Sequence, residues 1–106
     1  MQHIPLLKVT AAVKLTGPKS IVLTDRRICI LTPKLIGNTE LNQYHHKQIE
    51  RVIKRLTGNE DEGTFIIALH SGAWIETNKI PRSQLDRLEH IAGEFLEVQH
   101  KEEAVN

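Results

Sequence analysis

The 106-residue chain is poor in the residues that most often announce a chemistry: it holds one cysteine, one methionine, one tryptophan, one tyrosine and two phenylalanines. The lone thiol, Cys29, excludes an intrachain disulfide and a thiolate zinc site, and fits a reducing cytoplasm. No run approaches the ~20 apolar residues that a membrane-spanning helix needs. The start, Met1-Gln2-His3-Ile4-Pro5, has no basic stretch leading into a long apolar one, so neither export by a visible signal nor a membrane span is expected. Six glycines and four prolines fall singly between apolar segments, as punctuation rather than as a repeat or low-complexity tract. With 40% hydrophobic and 25% charged residues, the expectation is one small globular domain over residues 1–106, with its core in 6–98 and a frayed polar tail in 99–106.

Charge is nearly balanced in total, at a formal +1, and unbalanced along the chain. Residues 1–58 carry ten Lys/Arg against three Asp/Glu, and residues 59–106 carry four against ten, giving +7 and −6. Six histidines would make the molecule distinctly cationic below about pH 6.

Residues 6–16 are rich in β-branched side chains and partly alternate, which reads as a strand. Residues 20–24 (SIVLT) and 27–32 (RICILT) flank the polar Asp25-Arg26 and read as a hairpin. Residues 39–46 suit a more polar strand. Residues 48–57 allow two readings: Ile49, Val52, Ile53 and Leu56 stand at helical spacing, yet the same residues can alternate on a strand. Residues 64–70 and 73–80 form a second hairpin about Ser71-Gly72. A closing helix is expected over about 83–98, with Ser83 and Asp86 approximating a capping box. Its stripe is Leu85, Leu88, Ile91, Ala92, Phe95 and Val98, with Asp86, Glu89, Glu94 and Glu97 on the wet side.

A catalytic set is hard to assemble. His45 and His46 are neighbours and face opposite sides of a strand, while His70 and His90 belong to different elements. Cys29 sits among apolar residues, where a thiol is buried and inert. No glycine-rich phosphate loop joins a strand to a helix. The chain reads as a non-enzyme with no cofactor and no metal. The binding candidates are Lys47, Arg51, Lys54 and Arg55, a basic stripe suited to nucleic acid or anionic lipid headgroups, and Trp74, a candidate interface anchor. A sheet edge protected by charge, and a core tryptophan, are the structural counter-readings. The charge split adds a third possibility, in which a basic face of one copy meets an acidic face of the next.

Residues 20–30, SIVLTDRRICI, resemble the "LTdrRi" hairpin of bacterial pleckstrin-homology-like domains. Residues 44–52, YHHKQIERV, are similar to that family's "ipydqIssV" strand. Gly63 to Ile67 with Gly72 resembles its later hairpin, and the helix from Ser83 its closing helix. The resemblance covers about residues 6–98 in order. It implies a mainly β fold, a seven-stranded bent antiparallel sheet or partial barrel capped by one C-terminal helix. It favours a strand over 48–57, although Lys47, Glu50, Arg51, Lys54 and Arg55 are more charges than the family pattern carries there. It also implies a non-catalytic module of a bacterial or phage protein that binds protein partners, its own copies included. Headgroup-binding relatives of the fold place basic residues near the first strands, where this chain has Lys14, Lys19, Arg26 and Arg27, but its second strand lacks their Arg-x-Arg.

Overall fold

The computed structural model describes residues 9–14, 19–34, 37–56 and 61–102. Four strands form one antiparallel meander in the order β1-β2-β3-β4: β1 (Val9–Lys14), β2 (Ser20–Thr24), β3 (Arg27–Thr32) and β4 (Glu40–His45). A single 3₁₀ turn, His46–Gln48, leads into β5 (Ile49–Leu56). β6 (Glu62–Leu69), β7 (Trp74–Pro81), helix α1 (Arg82–Ala92) and β8 (Val98–Glu102) follow. The second sheet has the order β7-β6-β5-β8, with β8 parallel to β5. The mainly β architecture with one late helix is the one the sequence suggested, with eight strands among the described residues in place of seven.

Turn chemistry fixes the first hairpin. Thr24 Oγ1 accepts from the backbone N–H groups of Arg26 and Arg27 at 3.2 and 3.0 Å and donates to the Arg27 carbonyl at 3.1 Å. A threonine-closed turn of this kind sets the register, so that Ile21 pairs with Ile30 and Leu23 with Ile28, all four buried between the sheets. From the second sheet Val52, Leu56, Phe65, Ile67 and Ile80 join them. α1 touches β1, β2, β5, β6 and β7 and adds Leu85, Leu88 and Ala92, closing the space between the sheets. Its approach to β6 needs a glycine, since a Cβ on Gly63 would lie 2.6 Å from Leu85 Cδ2 and 2.8 Å from the Arg55 carbonyl.

Of the ambiguous segment 48–57, residues 49–56 are a strand, Gln48 belongs to the 3₁₀ turn and residue 57 lies outside the described residues; a bulge explains the helical appearance. The register shifts between Ile49 and Arg51, so the extra residue, Glu50, turns Ile49 to the same side as Val52 and Leu56. Ile53 is apolar for a different reason: it lies on the opposite face beside its cross-strand partner Ile66, and both are fully buried. A bulge plus a second apolar face reproduces the helical spacing without a helix.

The C-terminal region departs most from expectation. α1 starts at Arg82 with Pro81 as its N-cap and no side-chain cap, so Ser83 and Asp86 form no capping box. It ends at Ala92 rather than near 98. The turn over 93–96 keeps helix-like bonds, from Gly93 N–H to the Glu89 carbonyl through Leu96 N–H to the Ala92 carbonyl. The chain then doubles back, the Glu97 carbonyl accepts from Val52 N–H at 2.9 Å, and Val98 packs against the core. Residues 98–102, expected as helix end and frayed tail, are therefore a strand; residues 103–106 lie outside the described residues, as do the ends of the first predicted strand.

Candidate binding surface

Strand alternation disperses the basic stripe. Side chains of successive strand residues point to opposite faces, so Arg51 and Arg55 lie with Ile53 on the outer face of the second sheet while Lys54 lies with Val52 and Leu56 on the inner one. Lys47 belongs to the 3₁₀ turn and is exposed. The four residues do not form one surface.

Lys54 is 4% exposed and holds α1 to the sheet. Its Nζ donates to Asp86 Oδ1 at 2.6 Å and Glu89 Oε1 at 3.1 Å. Burial alone would lower its pKa; hydrogen bonds to, and charges of, the two carboxylates override that and hold it above 10.5. The Lys54 hydrogen bond pulls the Asp86 carboxyl below its ordinary value, against a smaller opposing effect of burial, with help from Arg82. His100 Nδ1 of β8 lies 3.6 Å from the other oxygen of Glu89. The wet side assigned to α1 is thus partly an ion-pair seam, and here the basic and acidic halves of the chain meet within one molecule.

Trp74 is 49% exposed, on the outer face of the second sheet rather than in the core. The turn before it sets its direction: Gly72 adopts φ +96°, a left-handed conformation that suits glycine, and Leu69 N–H donates to the Ala73 carbonyl at 2.9 Å. Trp74 then pairs with Ala68, and Trp74 and Glu76 face outward while Ile75 packs inward. Lys101 Nζ stands 5.9 Å from the Trp74 ring centre. Because β7 and β8 are the two edges of this sheet, roughly 14 Å apart, the contact reaches across the face over Ile53 and Ile66. Arg51 donates from Nε to Gln99 Oε1 at 3.0 Å and pairs with Glu50; Arg55 pairs with Glu76 at 3.2 Å. The face carries a half-exposed indole, three cations and two carboxylates above Ile53 and Ile66, which are fully buried. Of the residues singled out from sequence, Arg51, Arg55 and Trp74 converge on it; Lys47 and Lys54 do not. Lys101 and Gln99 were missed, since VQHKE is too short and polar to signal a strand.

Elsewhere, Lys47 joins Asp25, Arg26, His45 and His46 around an open cleft of about 320 Å³. His46 is half-buried, its ring centre 5.4 Å from that of Phe95. Burial pushes its pKa below 6.5, with Asp25 opposing and His45 assisting. Among the described residues no cluster of three or more His, Cys, Asp or Glu could hold a metal. Cys29 is only partly buried, on the outer face of the first sheet beside Val22 and Gln43, and burial raises its pKa against a smaller effect of Arg27. No described helix is long and apolar enough to cross a membrane.

Two four-stranded sheets closed by one helix define a domain of pleckstrin-homology-like fold. The sequence matches the family model for the bacterial PH domain over residues 3–92, and the chain belongs to that family. No curated protein matches it.

Proposed function

We propose that the chain is a non-catalytic, cytoplasmic self-assembly module of a bacterial or phage protein, acting through the outer face of the β7-β6-β5-β8 sheet with Trp74 as anchor. The observation that carries this reading is a half-exposed tryptophan set among Arg51, Arg55 and Lys101. Aromatic residues in such surroundings dominate interface energetics. The surface that fits it is one with carboxylates around an apolar side chain. The turn after α1 supplies that chemistry on a second copy: Phe95 is 38% exposed between the exposed Glu94 and Glu97. A contact between two different patches is heterologous, and it extends into a ring or an open series.

Sedimentation velocity from micromolar to millimolar protein tests the reading. The expected result is a concentration-dependent series of species extending beyond a dimer, which weakens with salt because the rim is ionic, and of which Trp74→Ala and Phe95→Ala each leave nothing larger than a dimer. A monomer at every concentration would overturn it. Binding of the wild type to anionic vesicles or to an oligonucleotide, with no self-association, would instead favour a headgroup or nucleic-acid module.

A further inference from the structure

The strand β8 lies beyond the residues that the family model matches, which end at 92. It occupies the edge of β5, paired with it over five residues, and brings little apolar surface of its own. Its one apolar anchor is Val98, which packs against the core, and Gln99, His100 and Lys101 are exposed. Among its described side chains, Gln99 bonds Arg51, His100 faces Glu89 and Lys101 faces Trp74.

The connection that allows β8 to fold back is close to helical. Gly93 has φ −62° and ψ −15°, inside the right-handed helical region, and the N–H groups of residues 93–96 bond back three or four residues along the chain. The helix itself ends at Ala92, and the turn over residues 93–96 keeps this helix-like bonding up to the point where the chain doubles back. The sequence itself carries the alternative, because the stripe of Leu85, Leu88, Ile91, Ala92, Phe95 and Val98 keeps helical spacing through residue 98. The same residues therefore serve a shorter helix with a returning strand or a longer helix with a departing one.

We propose that β8 is an exchangeable strand, and that two copies form a closed dimer in which α1 runs on past residue 96 and each β8 fills the β5 edge of the other. Every pairing of β8 is kept in the exchanged form, Val52 with Val98 through Leu56 with Glu102, since the partner offers an identical slot. The balance is then set by the hinge and by protein concentration, as in other exchanges of an identical element. A departing strand cannot reach its own β5, so one reciprocal exchange satisfies both copies. The inference is independent of the Trp74 contact: it predicts a closed dimer whose population does not depend on an indole at position 74.

Register partners Arg55 and Lys101 supply the test. A Cys29→Ser, Arg55→Cys, Lys101→Cys chain is prepared with and without ¹⁵N, the two forms are mixed at high concentration, warmed, returned to folding conditions and oxidised. Mass spectrometry of linked 55–101 peptides is expected to find mixed-isotope pairs approaching half of all pairs in the dimer fraction, in a Trp74→Ala background as well. Same-isotope pairs alone, at every concentration, would overturn the proposal. A second variant needs no new cysteine: three glycines inserted after Leu96 break the longer helix and leave the returning path open. It is expected to lower the wild-type exchanged dimer severalfold, and an unchanged or increased dimer would contradict the proposal equally.

Discussion

Lys54 shows how far a single residue's role is set by its surroundings. On the sequence it belongs to a basic run; in the structure it is a buried cation against Asp86 and Glu89. The arrangement is asymmetric, because Lys54 is buried while Asp86 is half exposed. Removing both carboxylates with Asp86→Asn and Glu89→Gln strands a buried charge, and urea denaturation should show a loss of about 3 kcal/mol. Lys54→Met frees carboxylates that water can reach and fills the site with apolar volume, so its change should stay within about 1 kcal/mol. The same seam predicts two pH limbs. Asp86 has a depressed folded pKa, so its contribution is present above the unfolded value of 3.8 and lost as pH falls through the folded one. Lys54 has a raised folded pKa, so its contribution is complete below 10.5 and lost as pH rises through the folded value. His46 adds a third window: its folded pKa is depressed, so stability falls as pH drops below 6.5, and His46→Gln should remove that step from a stability-against-pH curve.

At the scale of elements, the seating of α1 on β6 depends on Gly63. Gly63→Ala must displace either the Leu85 side chain or the β5 backbone, and thermal or urea unfolding should register a loss of about 1–3 kcal/mol. The elements differed in how plainly their residues announced them. The first hairpin was legible because Thr24 and Asp25-Arg26 sit between two apolar runs, and the turn they build is local. β5 was ambiguous because a bulge at Glu50 and the outer-face Ile53 together imitate a helix. β8 was illegible: its one apolar residue continues the helical stripe, and its pairing with β5 is decided by an edge far away in sequence. The proposed binding face was half legible for the same reason. Trp74 stood out as a single indole, but alternation moved Lys54 to the inner face, and Lys101 came with the unforeseen strand.

For the whole molecule, the near-zero net charge conceals an internal pairing rather than two opposed faces. The Lys54 seam and the Arg55–Glu76 pair consume basic charge from the first half and acidic charge from the second. What stays available is local: Lys101 beside Trp74, and the exposed Glu94 and Glu97 around Phe95. Assembly on these two patches should weaken with added salt, whereas strand exchange, which rests on backbone pairing, should not. Trp74 is the only tryptophan in the chain, so its emission reports directly on the proposed face. The measurement that tests the central claim most directly is fluorescence across a protein dilution series. The account predicts an emission maximum that shifts to shorter wavelength as concentration rises and reverts with salt or with Phe95→Ala. An emission maximum that stays fixed while sedimentation shows species larger than a dimer would contradict it, since the copies would then build a series without covering Trp74.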